Sequence, residues 1–234
     1  MANRNQERPA LNFKPLSSIK VSSTELVFEK LREAILSQTL EAGTPLIEAQ
    51  LAEMFEVSKT PVREALQRLA QTGLVDFIPG RGASVHVITL KEIQDIFELR
   101  LELEPLSLKQ SLANLSDNEI KLLEKVLLES ITFQQKNDWQ RLSQKNRVFH
   151  ETLVSGADNQ LLLEWLKCLS ERRQLISLQG WRFENRSLQE WQEHKEILEA
   201  VKARDVKLAV KRLEQHIQNF AVLVLKYFPK EPHA

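Results

Sequence analysis

Val57-Ser58-Lys59-Thr60-Pro61-Val62-Arg63-Glu64-Ala65-Leu66-Gln67-Arg68-Leu69-Ala70-Gln71-Thr72 decides how the front of this chain folds. Val62, Ala65, Leu66 and Leu69 recur at the i, i+3, i+4, i+7 spacing of a buried helical face. Pro61 falls in the first turn, where a missing N–H removes no intrahelical bond. The pattern predicts a helix over about 59–72, entered through a tight turn at Val57-Ser58. Upstream, Leu51, Ala52 and Phe55 share one face of a short helix over about 47–55. Before that, Val27, Leu31, Ala34 and Ile35 mark a helix opening at the cap candidates Ser22-Ser23-Thr24 and running to about Gln38, with Gly43-Thr44-Pro45 as a break. Downstream of Gly73, 74–78 and 83–88 are β-branched and partly alternating, and Pro79-Gly80-Arg81-Gly82 between them has hairpin-turn composition. Three helices followed by a β-hairpin describe a winged helix-turn-helix.

From Thr89 onward the pattern is helical throughout, with expected spans 89–114, 116–136, 138–155, 158–179, 186–203 and 205–227. Thr89, Ser116, Asp138, Asp158, Ser187 and Asp205 are the expected caps, several with Glu or Gln three residues on. Six helices joined by short turns make a bundle. The fold class is therefore mostly α: a winged helix-turn-helix over 21–88, then an all-α six-helix bundle over 89–228. Residues 1–20 carry Arg4, Arg8, Lys14 and Lys20 against Glu7, with two prolines and no periodicity, and read as a flexible basic tail.

The 234 residues carry 32 basic and 32 acidic side chains, so indiscriminate coating of a polyanion is excluded and any nucleic-acid surface must be a local patch. The single cysteine, Cys168, rules out an internal disulfide and a multi-cysteine zinc site; in the apolar run 161–169 it is expected to be a small buried side chain. The start of the chain is polar, without the apolar core of a secretory signal. No apolar stretch approaches the ~20 residues of a membrane span. A cytoplasmic protein without a membrane partner is expected.

A local patch does exist. With its apolar positions buried, the third helix turns Lys59, Thr60, Arg63 and Gln67 outward, and Lys59, Arg63 and Gln67 stack along one edge at spacing four. Cations, a hydroxyl and an amide are what a helix needs in a DNA major groove. Arg81, flanked by Gly80 and Gly82, can bring the hairpin backbone close to a phosphate or a minor groove. Residues 57–86 hold Lys59, Arg63, Arg68 and Arg81 against Glu64 and Asp76. The excess is modest, and on composition alone an ordinary solvated face remains equally open.

The segment from Leu46 to Leu69, with Val57-Ser58-Lys59-Thr60-Pro61-Val62-Arg63-Glu64-Ala65-Leu66 at its centre, resembles the winged helix-turn-helix signature of the GntR family of transcriptional regulators. Gly73-Leu74-Val75-Asp76 and Gly80-Arg81-Gly82-Ala83-Ser84-Val85 look like that family's wing. The resemblance implies DNA contacts from Lys59 and Arg63 and entry of Gly80 into the minor groove. The implied DNA-binding set is Ser58, Lys59, Thr60, Arg63, Gln67, Gly80, Arg81 and Gly82. Ala49 stands where one branch of the family has a further DNA-contacting arginine, so that contact is absent here. Ala42 before Gly43 also departs from the family's usual lead-in.

Three histidines of the helical part invite attention. His194 lies 11 residues before Asp205 and His216 lies 11 after it, so an antiparallel hairpin turning at Arg204-Asp205 sets them level, each roughly 16 Å from the turn. His150 sits mid-helix elsewhere, with Asn146 one turn earlier on the same face. Convergence in the bundle core as a metal or ligand site, and three separate satisfied histidines, are both compatible with this spacing.

Phe97-Glu98-Leu99-Arg100 to Glu104-Pro105, Asn146 to His150, Glu193-His194 to Val201, and Arg204-Asp205 to His216 resemble the FCD ligand-binding domain of the FadR subfamily of GntR regulators, over about 89–226. The resemblance implies a divalent metal, commonly zinc or nickel, held by one Asp and three His. The matching positions are Asn146, His150, His194 and His216, with a neutral amide replacing the usual carboxylate. It also implies that Arg100 faces the effector cavity and accepts a small organic acid, although an ion pair with Glu102 or Glu104 is the competing role. A homodimer on palindromic double-stranded operator DNA, shifted by a small carboxylate, is the function implied. A regulator for which the metal itself is the signal is the alternative. An enzyme is not expected, because neither Glu151 nor Glu193 is aimed at a reacting atom and no nucleophile motif or phosphate loop is present.

Overall fold

A computed structural model describes residues 22–80, 82–183 and 187–228. The expected basic tail, residues 1–20, and the wing-tip Arg81 lie outside these. Helix α1 (Ser23–Leu36) starts at Ser22, whose hydroxyl accepts from the Glu25 amide. After it come strand β1 (Pro45–Leu46), α2 (Glu48–Met54) and α3 (Lys59–Gln71), then β2 (Val75–Ile78) and β3 (Gly82–Val85). The sheet is antiparallel in the order β1-β3-β2, with Leu46 opposite Ala83 and Val75 opposite Val85. β1 is a difference from the sequence reading, which treats Gly43-Thr44-Pro45 only as a break. Two residues carry no period of their own, and β1 exists because it pairs with β3.

The core of this part is α1 against α3. Val27, Leu31 and Ile35 close over Val62, Ala65, Leu66 and Leu69, the last four fully buried. Each such leucine contributes about 1.5–3 kcal/mol on burial. Gly73 ends α3 with φ +75°, a conformation that a side chain would strain. Its bare Cα is also covered by the Arg172 guanidinium, which a Cβ would strike at 2.0 Å.

The remaining helices are α4 (Leu90–Ser111), α5 (Asp117–Gln135), α6 (Trp139–Val154), α7 (Gln160–Phe183), α8 (Ser187–Lys202) and α9 (Val206–Tyr227). Thr89, Ser116, Asp138 and Asp205 cap α4, α5, α6 and α9 with their side chains, and Ser116 and Glu119 form a complete capping box. Asp158 does not cap α7. Asn159 takes that place, its Oδ1 accepting from the Leu162 amide, so the helix begins two residues later than expected and runs on to Phe183.

Helix α7 also ties the two halves together. Arg32 of α1 is buried, donating to Glu171 Oε2 and to Gln174 Oε1, both at 2.8 Å. Glu171 holds Arg147 of α6 as well, and Gln174 donates to Ser143 Oγ. Arg172 pairs with Glu92 of α4 at 3.0 Å, and Glu92 meets His86, whose other nitrogen meets Asp76 on β2. Cys168, expected to be buried, is exposed on α7. The apolar run around it is amphipathic, and Cys168 falls on the wet side with Leu161 and Trp165.

Candidate DNA-reading surface and histidine centre

Ser58, Lys59, Thr60, Arg63 and Gln67 are all exposed on α3 and its N-terminal cap position. The Ser58 hydroxyl makes no capping bond. Gly80 and Gly82 have φ +75° and +83°, and nothing stands within 4 Å of where a Cβ would be, so the hairpin tip offers open backbone. The charge of this face is smaller than the sequence count suggests. Arg63 donates to both oxygens of Glu48 on α2, at 2.8–3.2 Å. Arg68 leaves the face altogether: it pairs with Glu25 of α1 and lies over the Phe28 ring, stapling α1 to α3. Sequence reasoning missed both pairings, because neither partner lies in the same helix.

His150 of α6, His194 of α8 and His216 of α9 converge. His194 Nε2 lies 3.3 Å from His150 Nε2 and 3.2 Å from His216 Nε2, and all three rings are buried. The α8–α9 turn at Arg204, with φ +54°, sets His194 and His216 side by side. The other ring nitrogens face carboxylates: His150 Nδ1 lies 3.0 Å from Glu104 and His216 Nδ1 lies 2.9 Å from Glu193. Nδ1–H donation to a carboxylate fixes the tautomer and leaves the Nε2 lone pairs pointing inward.

The electrostatics suit neutral rings at His150 and His194. Burial, with the nearby Arg173 charge, pulls His150 down to about 3, despite the opposing pull of Glu104. Burial and the two neighbouring imidazoles hold His194 well below its ordinary value. Burial works to raise the Glu104 carboxyl, but Arg100, His150 and Arg173 outweigh it and keep it well below the usual carboxylate range. The Glu190 carboxyl is pushed up, mainly by burial, and it accepts from Trp181 Nε1.

Asn146 is buried one turn before His150. Its Nδ2 donates to Ser177 Oγ at 3.4 Å, while its Oδ1 has no partner, and it lines the same small cavity as His194 and Glu190. Among the described residues, the three histidines form a group whose donor atoms suit a metal ion. Arg100 is buried and donates to Glu104 Oε1 at 2.6 Å, the competing role left open by its sequence. Glu104 and Glu193 as partners of the imidazoles were missed. Helical offsets show that adjacent residues diverge by about 100°, but not that a long carboxylate can reach a ring on a neighbouring helix.

A winged helix-turn-helix with an exposed polar recognition helix, joined to a bundle around buried polar groups, defines a DNA-binding regulator. The comparisons give the family. Residues 23–85 match the bacterial regulatory proteins of the gntR family, and residues 95–219 match the FCD domain. The chain is 30% identical to the gluconate operon transcriptional repressor of Bacillus licheniformis over 201 residues, 81% of this chain and 80% of that one. It is 28% identical to the HTH-type transcriptional repressor RspR of Escherichia coli (strain K12) over 203 residues, 83% of this chain and 86% of that one. The solved structure of E. coli McbR/YncC superposes with a TM-score of 0.75 at 25% identity, covering 89% of this chain and all of that one. The chain belongs to the GntR family of transcriptional regulators, with an FCD domain behind its DNA-binding head, and it is not an enzyme. No described helix is long and apolar enough to cross a membrane.

Proposed function

We propose that the chain is a ligand-responsive repressor of the FadR subfamily, acting in the cytoplasm as a homodimer on palindromic operator DNA. Residues 21–88 form its DNA-binding domain, and 89–228 its effector-binding and dimerisation domain. Ser58, Lys59, Thr60, Arg63 and Gln67 serve the major groove and its flanking phosphates, and Gly80, Arg81 and Gly82 the minor groove. Two copies double the phosphate contacts that one small module can make.

The observation that carries the sensing half is the convergence of three buried imidazoles, each Nε2 within 3.3 Å of a neighbour. The donor set fits a borderline divalent ion, zinc or nickel: His150, His194 and His216 would hold it, with Asn146 Oδ1 as a neutral oxygen donor. Such an ion would receive no negative charge from its direct donors, which are neutral, the carboxylates of Glu104 and Glu193 standing one ring further out. A carboxylate effector is the complement of the ion's charge, and the relatives named for gluconate control support an organic acid. Arg100 serves the effector at one remove, by holding Glu104 and through it His150. The grip of α7 on Arg32 supplies a physical route by which the bundle biases the DNA-binding half. An effector changes operator affinity only as far as it distinguishes the two arrangements.

A gel-shift titration on the chain's own promoter region tests the reading, with gluconate, citrate and zinc as separate additions to metal-free protein. Release by an organic acid supports it. Release by zinc alone would replace it with metal sensing, for which the histidine cluster is also suited. Failure to bind the promoter region at all would overturn both.

A further inference from the structure

We propose that the chain has a second small-molecule site, separate from the histidine centre: an apolar cavity between α4, α6 and α7 that takes a short monocarboxylate with a branched or aromatic tail, anchored on Arg173. The cavity measures about 290 Å³, at the small end for ligand pockets. Val154, Leu163, Leu166 and Leu169 wall it, with Arg173 and Glu104 at its floor and Lys167 and Glu151 also lining it. It shares no lining residue with the small cavity of Asn146, His194 and Glu190. His150 meets it, but the His150 Nε2 is turned towards the other two histidines.

The charge at the floor is unbalanced. Arg173 is buried, yet its nearest carboxylate oxygen, Glu104 Oε1, is 3.6 Å away, beyond hydrogen-bond reach. Glu104 is already engaged by Arg100 at 2.6 Å and by His150 at 3.0 Å. Two buried guanidiniums therefore share one carboxylate. A buried cation without a hydrogen-bonded partner is costly, and a planar carboxylate satisfies a guanidinium fork in bidentate fashion. The walls decide the rest of the ligand. Leucine and valine side chains offer nothing to the hydroxyls of a sugar acid, which would lose their hydrogen bonds to water, whereas an isobutyl or phenyl group gains by burial.

Arg173 lies in the same turn of α7 as Glu171 and Gln174, which hold Arg32 of α1. Occupancy of the cavity is thereby coupled to the seating of the DNA-binding half. This consequence, though not the binding itself, rests on the regulator reading above.

The test uses the full chain, zinc-loaded or stripped with EDTA, titrated calorimetrically with phenylacetate and with gluconate. The expected result is saturable phenylacetate binding that is the same with and without zinc and is not displaced by gluconate. Arg173→Met should weaken it at least about 10-fold, since a charged hydrogen bond is lost. Leu166→Trp, which fills the cavity without touching a charge, should abolish it while zinc binding and helical content persist. Binding that vanishes with EDTA, survives both substitutions or is displaced by gluconate would overturn the proposal. The two readings fail separately: release of operator by gluconate from a protein that shows no phenylacetate binding would keep the regulator and discard this pocket. Phenylacetate binding by a protein that recognises no promoter would do the reverse.

Discussion

The reading face and the histidine centre are built on opposite plans. Ser58, Lys59, Thr60, Arg63 and Gln67 come from one helix and its cap, stand in water, and are ordered by nothing stronger than the Arg63–Glu48 pair. His150, His194 and His216 come from three helices, are buried, and are each oriented by a ring or carboxylate from elsewhere in the fold. Exposed ion pairs are worth about 0–1 kcal/mol and exchange readily for a phosphate. Buried, oriented donors cannot be exchanged without rebuilding their surroundings. A surface that must meet many wrong sequences before the right one is suited by the first plan, and a pocket that must hold one small species by the second.

The comparison is broken most directly at Arg63. Arg63→Ala should lower operator affinity on the order of 100-fold or more, because each lost contact costs about 1–3 kcal/mol and a dimer loses it twice. Thermal stability should barely move, since the residue is exposed. Retained operator affinity in a quantitative gel shift would mean that α3 presents a different face to DNA.

The histidine centre predicts the opposite profile. Glu193→Gln should lower zinc affinity about 10–100-fold through loss of the carboxylate on His216 Nδ1, with operator affinity of the metal-free protein unchanged. Zinc titration against a chromogenic chelator checks it. If affinity is unchanged, Glu193 does not orient His216.

Legibility in the sequence follows the same division. The α3 face can be read from spacing alone, because its residues share one helix and helical geometry is local. The level placement of His194 and His216 was legible for the same reason, through the symmetric turn at Arg204-Asp205. Glu104 against His150, Arg68 against Glu25 and strand β1 were not, since each exists only once distant segments pack. Asp158 and Asn159 illustrate a smaller limit: both side chains can cap, and packing of α7 chooses between them.

Between the two regions lies His86, which bridges Asp76 on the wing and Glu92 on α4. The Glu92 hydrogen bond, aided by Asp76 and opposed by burial, raises its pKa. The stabilisation is therefore complete below the unfolded value near 6.5 and is lost as pH climbs through the higher folded value. The wild-type Tm should fall by a few degrees more between pH 6 and pH 8.5 than that of His86→Gln. Parallel Tm curves would show that this bridge carries no charge.

The smallest effect sharpens the comparison further, because it has the opposite sign. Glu48 holds Arg63 through both carboxylate oxygens, and that pair draws the Glu48 carboxyl below its ordinary value. If Arg63 serves DNA, this bond must be given up on binding, and an acidic group is then left near phosphate. Glu48→Gln should therefore tighten operator binding, by no more than about 5-fold given the worth of an exposed pair. The gain should shrink as salt is raised. A loss of affinity would instead make Glu48 the residue that aims Arg63, giving the exposed surface an oriented element of the kind found around the buried histidines.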